Sequence, residues 1–163
     1  MITVIMKKLV FLRHAKSSWD YHVEDCDRPL SVKGINDINR ISLRNINFFE
    51  KFQIFLTSPA NRAFHTATIL TRNVFNTHKN LRVIEELYSF NYKNVIDFIY
   101  KLDNKYSNVV LVGHNPAFSI AAEHLSEIPP PELKTSDWIM LEFKQNYWSK
   151  IKLGSYTYES KKS

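Results

Sequence analysis

A short apolar run ends abruptly in two ionisable residues near the start of the chain. Residues 9–12, Leu-Val-Phe-Leu, are followed directly by Arg13 and His14. Such a run predicts a strand that is buried on both faces, as in a parallel sheet. In open α/β sheets, ligands bind beyond the carboxyl ends of the strands. We therefore expect Arg13 and His14 at the edge of the sheet where a reaction takes place.

The rest of the chain alternates predicted strands with predicted helices. Further strands are expected at 53–57, 81–84, 108–112, 138–143 and 148–153, the last two joined by a turn near Gln145 and Asn146. Helices are expected at 31–52 with Ser31 as N-cap, and at 60–76, 94–105 and 117–125. The segment 85–91 is expected to be a loop or one helical turn. This order predicts an α/β protein, a three-layer α/β/α sandwich with a mostly parallel, mixed sheet.

Length and cysteine content limit the classes of protein that fit the chain. A chain of 163 residues is expected to form one domain, residues 1–163. No apolar run reaches the roughly 18 residues that span a membrane, and residues 1–5 are too few for a signal peptide. Met6 is an alternative start. The lone Cys26 has no partner for an intramolecular disulfide, which favours a cytoplasmic location.

The charge balance points to anionic partners. The net charge is +6, but the basic residues are scattered along the chain. Such a balance favours anionic ligands in general, whereas nucleic-acid binding does not follow from charge alone. We expect no nucleic-acid partner, no membrane partner and a monomeric protein.

Basic residues follow three of the predicted strands. Arg13 and His14 follow the first strand, Arg62 follows the strand at 53–57, and His114 follows the strand at 108–112. The intervals between His14, Arg62 and His114 are each about 50 residues, which is enough for crossover units that return the chain to the same sheet edge. We expect all four side chains to meet there.

Two histidines and two arginines suit phosphoryl chemistry. Guanidinium groups match phosphate oxygens and keep their charge. A neutral imidazole can attack phosphorus, and a second, protonated histidine can donate to the phosphoryl oxygens. Zinc would require more ligands and would be repelled by two arginines, and no Walker-type glycine loop occurs. We therefore expect no metal and no cofactor.

Five segments around these basic residues form recognisable motifs. They are 13–20 (Arg-His-Ala-Lys-Ser-Ser-Trp-Asp), 27–31 (Asp-Arg-Pro-Leu-Ser), 58–63 (Ser-Pro-Ala-Asn-Arg-Ala) with Thr66 and Ala67, 86–88 (Glu-Leu-Tyr) and 112–116 (Val-Gly-His-Asn-Pro). Together they resemble the motifs of the histidine phosphatase (phosphoglycerate mutase-like) superfamily and its SixA-type phosphohistidine phosphatase branch. The resemblance implies a phosphoglycerate mutase-like fold.

The resemblance also implies roles for individual residues. His14 would be the nucleophile, and Arg13, Arg62 and His114 would complete the catalytic phosphate pocket. Three further residues would bind the substrate: Arg28, Asn115 through its backbone N–H, and Ser17 through its hydroxyl. Ser58 is a further hydroxyl of this kind, although a turn-forming role fits both serines better.

Two positions depart from the family pattern. Many relatives have Leu-x-Glu after the third strand, with glutamate as general acid, but this chain has Leu87-Tyr88-Ser89. Glu85 and Glu86 precede that leucine and remain alternative acids. An alkoxide needs protonation, which is worth about 10²–10⁴-fold, whereas the imidazole of phosphohistidine is a far better leaving group. The second departure is Asp20, where many relatives have asparagine, and we expect it to point away from phosphate or meet a cation.

The expected function is therefore that of a metal-independent protein phosphohistidine phosphatase. The chain has no long insertion that would form a lid, so an open basic site should accept a phosphohistidine-bearing protein, such as a histidine-containing phosphotransfer domain in signal transduction, and release inorganic phosphate. Two alternatives remain. One is a phosphomonoesterase acting on small phosphorylated substrates, and the other is a non-catalytic phosphoprotein-binding module.

Overall fold

A mixed sheet of six strands organises residues 6–162, the part of the chain that this computed structural model describes. The strands are β1 (Lys7–Arg13), β2 (Ile54–Thr57), β3 (Leu81–Val83), β4 (Asn108–Gly113), β5 (Trp138–Phe143) and β6 (Ser155–Glu159). Their order is β3-β2-β4-β1-β5-β6. Strands β1 to β4 are mutually parallel, β5 runs antiparallel to β1, and β6 runs antiparallel to β5.

Helices cover both faces of this sheet. They are α1 (Val32–Arg44), α2 (Ile46–Phe49), α3 (Asn61–Phe75), α4 (Tyr92–Tyr100) and α5 (Ala117–His124). Successive residues of β1 pack into different cores, since Leu9 and Phe11 contact the side of α4 and α5, while Val10 and Leu12 contact the side of α1 to α3. Side chains of a strand alternate between faces, so a fully apolar strand needs both layers. The predicted three-layer α/β/α sandwich with a mostly parallel, mixed sheet is confirmed.

Two predicted helices have different ends in the structure. The helix expected at 31–52 is interrupted at Asn45, whose side-chain amide donates to the Ile41 carbonyl at 3.0 Å. That bond satisfies a backbone acceptor at the helix end and separates α1 from α2. The helix expected at 94–105 begins at Tyr92, because the Asn91 side chain accepts a bond from Lys93 N at 3.0 Å.

The last predicted strand was wrong. Residues 148–153 do not form a strand, since Trp148–Lys150 is a 3-10 turn and the sheet resumes only at Ser155. The Trp148 side chain is fully buried in the core, and its indole N–H donates to the Tyr106 carbonyl at 2.9 Å. Burial of this ring draws the segment away from β5, so that the partner strand begins later.

The ends of the chain lie outside the described residues. Residues 1–5 and 163 are not described, so the expectations for residues 1–5 as a leader and Met6 as a start stay predictions. Among residues 6–162, no helix combines the length and apolar character needed to cross a membrane. Segment 85–87 forms a single 3-10 turn, one of the two forms expected for it.

Candidate active site

The parallel strands bring the predicted basic residues together. Arg13 of β1 lies opposite Gly113 of β4, so His14 and His114 leave neighbouring strand ends, and their ring centroids are 5.2 Å apart. Arg62 lies in the first turn of α3, just beyond β2, and its Nε donates to His14 Nε2 at 3.3 Å. The side chains of His14, Arg62 and His114 are all buried. The predicted convergence at one sheet edge is present in the structure.

His14 is held as a neutral imidazole with one defined tautomer. Its Nδ1 lies 2.7 Å from the Ala15 carbonyl oxygen, which can only accept, so Nδ1 carries the proton. Burial, reinforced by the charges of Arg62 and Arg13 and opposed by the Ala15 carbonyl, lowers the pKa of His14 to about 3. The lone pair on Nε2 is therefore available at neutral pH and faces the Arg62 guanidinium.

His114 is also neutral in this arrangement. Burial is the largest cause that lowers its pKa to about 3, followed by the electrostatic interaction with the neighbouring His14 ring and the positive charge of Arg62. Its Nε2 lies 2.8 Å from the Ser58 hydroxyl, while its buried Nδ1 has no hydrogen-bond partner among residues 6–162. When the Ser58 hydroxyl donates to Nε2, the proton of His114 lies on Nδ1. Neutral His114 can then still donate one hydrogen bond, although sequence reasoning expected a protonated ring.

The remaining predicted site residues lie around the same pocket. Arg28 is buried and its Nη1 donates to the Ser17 hydroxyl at 2.6 Å. Arg13 Nη1 donates to the Leu133 carbonyl at 3.0 Å. The Asn115 side-chain amide donates to that same carbonyl at 2.8 Å, and Asn115 lines the pocket. The contact of its backbone N–H with substrate stays a prediction.

Asp25 completes the site and was not singled out in the sequence. Its Oδ2 accepts bonds from Arg62 Nη2 at 3.0 Å and from the Tyr88 hydroxyl at 2.6 Å. Its Oδ1 accepts a bond from Arg28 Nε at 3.1 Å. Burial alone would raise the pKa of Asp25, but the hydrogen bonds from Tyr88 and Arg62 outweigh it and lower the pKa to about 2. Asp25 is thus a carboxylate at neutral pH.

A loop carries Asp25, and specific contacts fix this loop against α1. Ser17 and Leu30 form an isolated bridge, and Ser18 N donates to the Pro29 carbonyl at 2.8 Å. A Cβ on Gly34 would lie only 2.1 Å from the Lys16 carbonyl oxygen. Glycine is needed at this position of α1 because the loop backbone approaches it so closely.

Together these groups line a polar pocket of about 270 Å³ that is open to solvent. It is lined by Arg13, His14, Lys16, Ser17, Trp19, Asp25, Arg28, Arg62, Phe90, Asn115 and Thr135. Two exposed aromatic rings stand at its mouth, Trp19 stacked 3.7 Å above the Arg28 guanidinium and Phe90 at 5.5 Å from the His114 ring. Within residues 6–162, Asp25 is the one acidic residue among those lining it.

The two departures from the family pattern point away from the pocket. Ser89 is buried and bonded to Asn91 and Asn94, and Tyr88 instead packs on the His114 ring at 5.4 Å. Glu85 and Glu86 are both exposed, and Glu86 lines a separate, adjacent pocket. The Asp20 side chain accepts a bond from the Ser18 hydroxyl at 3.0 Å and is not among the residues that line the pocket.

Sequence reasoning did not assign Asp25, Tyr88 or the two aromatic rings at the mouth of the pocket, Trp19 and Phe90, to the site. The polar loop between β1 and α1 has four acidic residues, Asp20, Glu24, Asp25 and Asp27, and its sequence gave no sign of which one faces the site. The three-residue spacing from Asp25 to Arg28 was the available signal. No group of three or more His, Cys, Asp or Glu side chains within residues 6–162 is arranged to hold a metal ion.

Two comparisons with known protein sequences find matches. Residues 9–94 match the model of the histidine phosphatase superfamily, branch 1. The chain is 30% identical over 157 residues to an uncharacterised chloroplastic protein of Arabidopsis thaliana, which covers 90% of this chain and 71% of that protein.

Solved structures share the fold. A crystal structure assigned as the phosphohistidine phosphatase SixA of Agrobacterium tumefaciens is similar with a TM-score of 0.75 and 25% identity, covering 85% of this chain and 92% of that one. The structure of the protein histidine phosphatase SixA complexed with tungstate matches with a TM-score of 0.78 and 20% identity, covering 94% of this chain and 97% of that one. The phosphoglycerate mutase-like fold expected from the motifs is confirmed.

Proposed function

The chain belongs to the histidine phosphatase superfamily, and on that premise we propose that it is a metal-independent protein phosphohistidine phosphatase with His14 as its nucleophile. The proposed substrate is a protein that carries phosphohistidine, and the product is inorganic phosphate. The pocket is open and basic, and aromatic rings at its mouth suit a protein surface better than an enclosed metabolite.

In the first step, His14 Nε2 attacks phosphorus, and the bond between phosphorus and the substrate's ring nitrogen breaks with its electron pair staying on the departing substrate ring. Its Nδ1–H remains bonded to the Ala15 carbonyl at 2.7 Å, which fixes the ring and supports the positive charge that develops on it. Arg62, Arg28 and Arg13 surround the phosphoryl oxygens with fixed positive charge. His114 Nδ1–H, supported by Ser58 on the other ring nitrogen, donates to one of these oxygens.

In the second step, water attacks phosphorus and releases phosphate. The bond between phosphorus and His14 Nε2 breaks, and its electron pair returns to the ring, which regains the neutral tautomer. The same arginines hold the phosphoryl group in both steps. The open mouth of the pocket admits water as soon as the dephosphorylated partner has left.

One observation carries the choice of a phosphohistidine over a phosphate ester. Among residues 6–162, the pocket is lined by no glutamate, and its one acidic residue, Asp25, has a pKa of about 2. A carboxylate that is already ionised cannot protonate an alkoxide. The imidazole of phosphohistidine leaves without such help, whereas a sugar or alkyl phosphate loses the roughly 10²–10⁴-fold contribution of a general acid.

The test is a comparison of substrates at equal concentration. Phosphate release from a phosphohistidine-containing phosphotransfer domain should exceed release from alkyl and sugar phosphates by at least about 10²-fold in kcat/KM. Glu86→Gln should leave all these rates unchanged. Preferred turnover of alkyl phosphates that disappears in Glu86→Gln would establish a small-molecule phosphomonoesterase instead. Tight binding of the phosphoprotein without turnover would establish a binding module.

A further inference from the structure

Asp25 stands close to the nucleophile but has no part in the two steps described above. The Arg62 guanidinium contacts His14 Nε2 through Nε at 3.3 Å and Asp25 Oδ2 through Nη2 at 3.0 Å, so one planar group separates them. The Asp25 side chain is 46% exposed, whereas His14 is only 8% exposed. A group that leaves phosphorus opposite the buried His14 departs toward the open side of the pocket, and Asp25 is the exposed carboxylate that lines this pocket.

A phosphohistidine substrate carries a titratable ring nitrogen that phosphate esters lack. The ring nitrogen that does not carry phosphorus can bind a proton. When that nitrogen is protonated, the ring departs as neutral imidazole, and when it is not, the ring must depart as an imidazolide anion. An acceptor that holds this N–H therefore favours the reactive form of the substrate.

We infer that Asp25 is a catalytic, specificity-determining residue whose carboxylate accepts the N–H of the departing imidazole ring. This inference rests on the proposed phosphohistidine substrate. The bond between phosphorus and the substrate ring breaks, and its electron pair stays on that ring nitrogen. The bond from His14 Nε2 to phosphorus forms with the lone pair of His14. The substrate ring leaves neutral with its N–H still bonded to Asp25, and the positive charge passes to phosphorylated His14.

The arrangement gives the two imidazoles matching supports. The Ala15 carbonyl holds the distal N–H of His14, and the Asp25 carboxylate holds the distal N–H of the substrate ring. Asp25 keeps its acceptor form because Tyr88 donates to Oδ2 and Arg28 donates to Oδ1 at 3.1 Å. With the bond from Arg62 to Oδ2, three of the roughly four acceptor positions of this carboxylate are occupied. The remaining position is on Oδ1, where the ion pair with Arg28 Nη2 at 3.1 Å is exposed to the substrate side of the pocket.

A purely structural role for Asp25 makes a different prediction. If Asp25 only orients the guanidiniums of Arg62 and Arg28, its loss weakens the binding of every phosphoryl group to the same degree. If it also accepts the ring N–H, its loss affects substrates whose leaving group is an imidazole more than all others. The ratio of two kcat/KM values therefore separates the two roles.

The experiment measures Asp25→Asn on a phosphohistidine-containing phosphotransfer domain and on p-nitrophenyl phosphate. We expect kcat/KM for the phosphohistidine protein to fall about 10- to 100-fold, as for loss of a charged hydrogen bond. The fall for p-nitrophenyl phosphate should be clearly smaller, because that substrate reports only how well the arginines remain oriented. Asp25→Glu should restore part of the loss. Hydrolysis of the phosphoenzyme in a single turnover should be unchanged, because the substrate ring has already left. Asp27→Asn, the same change on an exposed neighbour in the same 3-10 turn, is the control.

Two outcomes would overturn the inference. An equal fall on both substrates would assign Asp25 to orienting the arginines, and no fall on either would remove it from the reaction. A wild-type protein that does not hydrolyse phosphohistidine at all would instead refute the proposed function, and this result is visible before any variant is made.

Discussion

The pocket has two sides of different construction. The strand side consists of His14 and His114, which leave adjacent parallel strands, are almost completely buried and are neutral. The loop side consists of Trp19, Asp25 and Arg28, which belong to the segment between β1 and α1 and carry a charged, partly exposed network. Arg62 joins the two sides with one guanidinium.

This difference assigns separate tasks to the two sides. Sheet register fixes the strand side, so the atoms that form and break bonds to phosphorus have little freedom. Long-range hydrogen bonds hold the loop side, which is where a substrate must be recognised before it reacts. The predictions below test this division, beginning with the residue that belongs to both sides.

Arg62→Lys should have the largest effect. Lysine keeps the charge but cannot contact His14 Nε2 and the Asp25 carboxylate at once, since only the guanidinium has this fork. We expect kcat/KM to fall about 10²–10³-fold, comparable to loss of a donor to a developing anion. Arg72→Lys, an exposed position on the same helix, is the control and should behave as wild type. A small effect at Arg62 would mean that the two sides work independently.

Gly34→Ala should disturb the loop side alone. The new Cβ would lie 2.1 Å from the Lys16 carbonyl oxygen, which is backbone and must shift with its loop. We expect the free energy of unfolding to fall by about 1–3 kcal/mol, together with a loss of activity, as measured by urea denaturation and substrate turnover. Val32→Ala, exposed in the same first turn of α1, should change neither. A Gly34→Ala protein with wild-type stability and turnover would show that this contact does not hold the loop.

Trp19→Ala should have a modest effect that is confined to recognition. The ring is 77% exposed and stacks on Arg28 at 3.7 Å. An exposed cation–π contact is worth about 0.5–1 kcal/mol, so KM for the phosphoprotein should rise about 2- to 5-fold while kcat stays constant. Tyr147→Ala, an exposed aromatic ring stacked with Lys150 outside the pocket, is the control. A fall in kcat without a change in KM would place Trp19 in the chemical step.

The histidines of the strand side should show no change at all when the pH is varied around neutrality. Burial holds the pKa of both His14 and His114 at about 3, far below the usual value near 6.5. Both rings therefore gain a proton only when the pH falls to that low pKa. The nitrogen chemical shifts of both rings should stay constant from about pH 8 to about pH 5. His14 should show the Nδ1–H tautomer throughout. Titration of His14 near pH 6.5 would contradict the neutral nucleophile.

Sequence patterns predicted the strand side well because it depends on local signals. Apolar runs ending in Arg13-His14 and Gly113-His114 indicate buried parallel strands, and parallel pairing brings strand ends together. The same reasoning placed Arg62 after β2. The protonation state of His114 was not accessible in this way, because it depends on burial and on charges from other elements.

The loop side was harder to predict because its contacts are long-range. Asp25 is 37 residues from Arg62 and 63 residues from Tyr88 in the chain. Nothing in the polar loop indicates which of its four acidic residues will contact those partners. The misplaced final strand has a similar origin, since the burial of Trp148 against Tyr106 is a tertiary contact that overrides a strand-like pattern.

Trapping the phosphoenzyme tests the central claim most directly. The protein is mixed with a radiolabelled phosphohistidine phosphotransfer domain, quenched in alkali within one turnover, and digested to locate the label. The account predicts an acid-labile, alkali-stable phosphate on His14, which is absent in His14→Ala but present in His22→Ala, a control at an exposed histidine. Undiminished turnover in His14→Ala, or label on any other residue of the wild-type protein, would contradict it.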